Sequence, residues 1–255
     1  MKFLFSDFDG TLCFANKAKH ENFKKEDLEA IKTFRSAGHK FGLCTGRPLL
    51  GVQTYCKDII DFDFYILTSG AIILDNDKNV LYEKLLNHDT MKAIAEEFSA
   101  FGDVWVHAHH GLYSLKTRKI KRSNQTLVDS FDEVPHDLLH GVSFECSSEE
   151  EARNTCIYIN QKYPDAHAFQ NKRFVDVAAK GVSKGATLKV YRDMISCDKT
   201  YGIGDSYNDL PLLTNVDVSF TFHSSPKEIQ DVCTHIVDSI AEAIDIILSE
   251  EKSRG

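Results

Sequence analysis

Two stretches of this chain alternate short apolar runs with helix-period patterns, and a third stretch between them does not. In the first, residues 3–5 form an apolar run, and Leu28, Ile31 and Phe34 then recur at helical spacing before Gly38, which is placed to end a helix. Residues 40–45 give a second run, Pro48 opens a helix carrying Leu50, Val52 and Ile59, and Phe64–Leu67 gives a third run. The rhythm resumes after Lys184 with residues 200–204, a helix at Leu210–Leu213, residues 216–222, His235–Val237 and a closing amphipathic helix at 240–248. Ser225-Pro226-Lys227-Glu228 joins an N-cap, a Pro at the first helical position and a capping-box Glu. Such alternation predicts βαβ units and a parallel sheet.

The middle of the chain reads differently. Residues 71–75 and Val80–Glu83 flank Asn76-Asp77-Lys78-Asn79 as a hairpin, and Asp89-Thr90 is placed to cap a helix bearing Met91, Ile94, Ala95 and Phe98. Strands are expected at 104–107, 112–115 and 173–177, with a capping box at Ser148-Glu149-Glu150-Glu151. The predicted fold class is α/β: a Rossmann-like doubly wound parallel sheet, residues 1–84 and 180–255, with a separate α+β module inserted at 85–179.

Composition excludes some functions. A net charge of -8 opposes a dedicated nucleic-acid binder, and the basic run Lys116, Arg118, Lys119, Lys121 and Arg122 reads as a solvated strand edge or loop. No apolar stretch is long enough to span a bilayer and no signal peptide is evident. Seven scattered cysteines without Cys-x-x-Cys spacing read as reduced packing residues. The expectation is a cytoplasmic protein, a monomer or weak homodimer, with neither nucleic acid nor membrane as partner.

Polar motifs fall at the expected carboxyl ends of strands, where doubly wound sheets bind ligands. These are Asp7-Phe8-Asp9-Gly10-Thr11, Thr45-Gly46-Arg47 and Gly204-Asp205-Ser206-Tyr207-Asn208-Asp209, with Gly181-Val182-Ser183-Lys184-Gly185 opening the helix that leads back into the sheet. Two acids at the mouth of a buried strand repel and lose hydration, a cost that a cation or work on a charged substrate would repay. Taken singly, each motif has a plainer reading: a polar turn for the Asp pair, a helix cap for Asp205 and Asp209, a surface lysine for Lys184, a surface salt bridge for Arg47.

In this order and spacing the four motifs resemble the haloacid dehalogenase superfamily, specifically the Cof-type sugar phosphatases with a cap between the second and third motifs. Only 33 residues lie between Thr11 and Thr45, positions 12–44, whereas about 110 separate Gly70 from Lys184, so the inserted module belongs in the second gap. The resemblance implies a Mg2+ enzyme acting on a small phosphorylated metabolite. Asp7 would be the nucleophile that forms an aspartyl-phosphate, and Asp9 the general acid and then base. Mg2+ would sit on the Asp7 carboxylate, the Asp9 carbonyl and Asp205, with Asp209 as a further ligand or a neighbouring group. Thr45, Gly46, Lys184 and Asn208 would hold phosphate, and Arg47 and Asn171, with Lys172 and Arg173 nearby, are candidate substrate contacts. A phosphomutase or phosphotransferase, or a non-catalytic phosphometabolite sensor, are the alternatives on the same fold.

Within the cap, His107-Ala108-His109 and the adjacent His110 lack a third metal ligand at a convincing spacing and read as a solvated or substrate-facing strand; Trp105 and Tyr113 read as cap core. Two departures from the family pattern stand out. Ser69-Gly70 replaces the usual Asn-Gly, and Val218–Phe222 with His223 replaces a segment usually rich in small residues.

Overall fold

The computed structural model describes residues 1–14, 22–108, 111–115 and 125–252. In chain order the elements are β1 (Lys2–Ser6), α1 (Lys25–Ser36), β2 (Lys40–Cys44), α2 (Leu49–Cys56), β3 (Phe64–Leu67), β4 (Ile72–Asp75) and β5 (Val80–Glu83). Next come α3 (His88–Ser99), β6 (Val104–Ala108), β7 (Gly111–Leu115), β8 (Thr126–Val128), β9 (Leu139–Glu145), α4 (Glu149–Lys162), β10 (Ala166–Asn171) and β11 (Phe174–Ala179). The chain closes with α5 (Lys184–Met194), β12 (Lys199–Ile203), α6 (Leu210–Leu213), β13 (Val218–Phe222), α7 (Lys227–Gln230), β14 (His235–Val237) and α8 (Ile240–Lys252).

Eight strands form one sheet in the order β14-β13-β12-β1-β2-β3-β4-β5, parallel from β14 to β3 and finished by the antiparallel β4–β5 hairpin. Successive residues of β1 enter opposite layers. Leu4 packs with Ile31, Phe34 and Ile244 from α1 and α8, whereas Phe3 and Phe5 pack with Leu188 and Tyr191 of α5. A strand covered on both faces must be apolar throughout, which is why β1 is a continuous rather than alternating run. The chain winds outward from β1 through β2 and β3, then returns to β12 on β1's other side, so order reverses between β1 and β12.

A second sheet runs β10-β11-β9-β6-β7-β8, antiparallel except for the β7–β8 pair. Here alternation does decide the faces. Val104 and Val106 of β6, Val142 and Phe144 of β9, and Val175 and Val177 of β11 pack against Met91 and Ile94 of α3 and Ala152 and Ile159 of α4. The residues between them, Trp105, His107, Ser143 and Asp176, line a cavity opposite the carboxyl end of the first sheet.

Several local expectations are corrected. Asn87, not Asp89-Thr90, caps α3, its Oδ1 accepting the N–H groups of Asp89 and Thr90 at 3.0 and 3.1 Å. Ser148 caps α4, but the Glu151 carboxylate accepts from the N–H of Ser147 instead of Ser148, so the box is offset by one residue. Ser225 makes no cap: its Oγ accepts from the Thr221 hydroxyl, and Pro226 occupies the N-cap of α7. Strands β8, β9 and β10 were not anticipated; β9 is buried on both faces and carries His140, Gly141 and Ser143 among its apolar residues, so burial along it does not alternate. Gly38 ends α1 as expected, at φ +86°. The basic run at 116–122 and His109 and His110 lie outside the described residues. All seven cysteines are free, and among the described residues no helix is long and apolar enough to cross a membrane.

Candidate active site

Asp7 leaves β1 at the reversal point, its N–H donating to Ile203 of β12 at 2.9 Å. Phe8 turns into the core and is fully buried, while Gly10 adopts φ +84°. A Cβ at Gly10 would stand 2.7 Å from Asp205 Oδ2, so a residue with a side chain would close the space between the two loops. Oxygens of Asp7, Asp205 and Asp209 all lie within 4.8 Å of one another.

Lys184 is the counterion. It is 3 % exposed, and its Nζ donates to Asp7 Oδ1 at 2.6 Å and to Asp209 Oδ1 at 2.5 Å. Asp209 Oδ2 accepts the N–H groups of Asp205 and Ser206 at 3.1 Å, so this residue caps the short turn after β12 and also neutralises Lys184. The plainer reading of Asp209 as a cap therefore holds, and the residue has this second contact as well. Burial pushes the Asp7 carboxyl well above its usual range and the Asp209 charge adds to this, with Lys184 opposing. Burial, then Asp209, raises Asp205 to about 6. Burial works to lower the Lys184 pKa, but Asp209 and Asp7 override it and hold the ammonium. Three carboxyl groups gathered in an all-oxygen cluster are the donor set that suits a hard divalent cation.

Asp9 faces the other way. Arg47 grips it with two parallel bonds, Nε to Oδ2 at 2.6 Å and a terminal nitrogen to Oδ1 at 2.7 Å, while its guanidinium lies 4.8 Å from the Tyr55 ring. Burial acts to lower the Arg47 pKa, and Asp9 more than reverses that. Thr45 is buried and its Oγ accepts the Arg47 N–H at 3.2 Å. A Cβ at Gly46 would approach Asp176 Oδ2 to 2.9 Å, so the loop after β2 lies directly against the Asp176 carboxylate. Ser183 caps α5 and so fixes Lys184 at its first turn. Asn208 lines the cavity and accepts from the Ser206 hydroxyl at 2.6 Å.

From the second sheet, the β10–β11 turn reaches this centre. Asn171 lines the cavity, and Lys172, at φ +54°, brings its Nζ to 3.7 Å from Asp205. Arg173 instead pairs with Glu145 at 2.6 Å and does not line the cavity. Trp105 is corrected as well: it lines the cavity, whereas Tyr113 packs on the second sheet's core as expected. His107 is buried rather than solvated, with Nε2 2.8 Å from Ser143 Oγ; burial, then His140, pushes its pKa down to about 3. Asp176 was missed by the sequence reading. It is half-buried, and burial pushes it up to about 7, with Asp9 adding while Lys184, Arg47 and Asn171 oppose. Its signal was available: Val175-Asp176-Val177 is an acid alternating with core residues. The cavity enclosed by the two sheets has a volume of about 490 Å³.

The sequence profile of the haloacid dehalogenase-like hydrolases matches residues 4–245. The chain belongs to that family. A Mycoplasma capricolum protein of unassigned function is 27% identical to this hydrolase over 270 residues, covering 94% of this chain and 98% of that protein. The 5-amino-6-(5-phospho-D-ribitylamino)uracil phosphatase of Bacillus subtilis is 23% identical over 291 residues, covering 98% and 99%. A solved haloacid dehalogenase subclass IIB sugar phosphatase shares the fold of this hydrolase, with a TM-score of 0.77 at 20% identity over 97% of this chain and 99% of that one. The hydrolase is an enzyme of the phosphatase type.

Proposed function

We propose that this hydrolase is a Mg2+-dependent phosphatase of small phosphomonoesters, sugar phosphates foremost, working through an aspartyl-phosphate on Asp7. The observation that carries the reading is Asp7, held 2.6 Å from the buried Lys184 and beside Asp205 where the strand order reverses. Residues 1–84 and 180–255 are the catalytic core in this reading, and 85–179 a cap over the leaving group. Seven free cysteines fit a cytoplasmic setting.

Asp7 attacks phosphorus. Its O–P bond forms as the bond to the alcohol breaks, and Asp9 gives the departing oxygen a proton. Water then adds to phosphorus, yields a proton to Asp9 and frees Asp7, so ester and water become alcohol and phosphate. Both Asp9 oxygens rest on Arg47, so each proton transfer requires Arg47 to release one of them. Lys184 offsets negative charge beside the nucleophile, while Thr45, Gly46 and Asn208 line the place for the phosphoryl oxygens. The Asp7 carboxylate, the Asp9 carbonyl and Asp205 would hold the Mg2+; Asp209, with both oxygens engaged, acts as the neighbouring group that orients Asp205 and Lys184. When bound, the ion neutralises charge gathered between nucleophile and phosphate.

The Asp7→Asn variant tests this. Phosphate release from p-nitrophenyl phosphate and glucose 6-phosphate should fall at least about 1,000-fold with an unchanged circular dichroism spectrum. Activity persisting in a folded variant would remove Asp7 as nucleophile. Because burial and Asp209 already disfavour the ionised carboxylate, the variant should melt no lower than the parent.

A further inference from the structure

The second sheet presents a built row of side chains to the cavity. Trp105 on β6 pairs with Ser143 on β9, and Ser143 pairs with Asp176 on β11, so the three share one face. His107, two residues along β6, joins them through its contact with Ser143. The row is polar and aromatic, and its charge comes from Asp176.

Around Asp176 the other charges lining the cavity are already committed. Arg47 is held by both oxygens of Asp9 and Lys172 leans toward Asp205, while Lys184, outside the cavity lining, lies beneath Asp7 and Asp209. Among the described residues Asp176 has no ion-pair partner within 4.0 Å. It faces the loop after β2, where a Cβ at Gly46 would stand 2.9 Å from its Oδ2. A leaving group seated between Gly46 and the Trp105–Ser143–Asp176 row therefore meets one acid without an ion-pair partner, hydroxyl and imidazole groups, and an indole.

We propose that Asp176 makes the cavity select phosphomonoesters whose leaving group is neutral or carries an amine, and reject those whose leaving group bears a second anion. This rests on the phosphatase reading above and adds a charge rule to it. A like charge brought into a partly desolvated pocket is repelled strongly, whereas an ammonium or hydroxyl finds an acceptor.

Three six-carbon phosphomonoesters of similar size test it: glucose 6-phosphate, glucosamine 6-phosphate and 6-phosphogluconate. At pH 8, above the Asp176 pKa of about 7, kcat/KM for 6-phosphogluconate should lie at least about 100-fold below that for glucosamine 6-phosphate, with glucose 6-phosphate between them. Asp176→Asn should shrink that spread to within about fivefold, mainly through KM, while Asp176→Glu, which keeps the charge, should preserve its order. Equal use of 6-phosphogluconate and glucosamine 6-phosphate by the unaltered enzyme would overturn the proposal, as would an undiminished spread in Asp176→Asn. The unaltered enzyme's comparison stands even if a variant fails to fold. Phosphate release from p-nitrophenyl phosphate without this discrimination would sink the charge rule alone; no release from any of the four esters would sink the phosphatase reading and the rule with it.

Discussion

At the residue scale, Lys184 shows how a buried charge is made tolerable by what surrounds it. Its ammonium touches two carboxylates, and neither of those has another cation within an ion-pair distance among the described residues. Replacing it with methionine keeps the volume but leaves Asp7 and Asp209 buried without a counterion. Lys184→Met should cost about 3–5 kcal/mol in urea unfolding without metal. Added Mg2+ should recover part of that loss, because the remaining carboxylates then gain a cation; a variant as stable as the parent would show that the pair contributes nothing. The sequence alone made Lys184 a surface residue unless the other motifs were read with it. Burial is a property of where α5 docks, and no local pattern encodes it.

At the element scale, the strongest sequence signals were those with a local physical cause. Gly38 ends α1 because its left-handed backbone angle disfavours other residues. Phe64–Leu67 forms β3 with the bounds expected, because a four-residue apolar run between polar turns has few alternatives. Caps were read less well, since neighbouring Asn, Asp, Ser and Thr all compete for the same orphan N–H groups. Asn87 won over Asp89 and Thr90 because it stands one residue before the first helical one and can reach both of their amides. Asn87→Ala should therefore lower stability by about 1 kcal/mol in chemical denaturation. Asp89→Ala should change it less, and a reversed ranking would return the cap to Asp89.

At the scale of the whole molecule, several acids from distant parts of the chain are crowded together, and their protonation is linked to folding. Asp205 is raised to about 6 and Asp7 is raised as well, each above its ordinary value in the unfolded chain. A folded acid with a raised pKa holds a proton that the unfolded one has already released. Stability without metal should therefore fall as pH rises from about 4, the ordinary carboxyl value, through the folded pKa of Asp205 near 6. A cation binds the deprotonated oxygens, so it opposes this loss. The rise in melting temperature on adding Mg2+ should be small at pH 5 and larger at pH 8. A rise independent of pH would place the ion somewhere other than among Asp7, Asp205 and Asp209.

The sequence by itself determined the βα alternation, the four motifs and their resemblance to the haloacid dehalogenase family, since each depends on residues close together in the chain. Tertiary structure decided the rest. It set Arg47 on Asp9, because the loops after β1 and β2 meet only once their strands pair. Docking of α5 buried Lys184 between two acids separated from it by 177 and 25 positions. The second sheet's placement turned Trp105, His107, Ser143 and Asp176 toward the loops after β1 and β2. Alternation along a strand says that such residues leave their own core, but only the assembled fold says what they face.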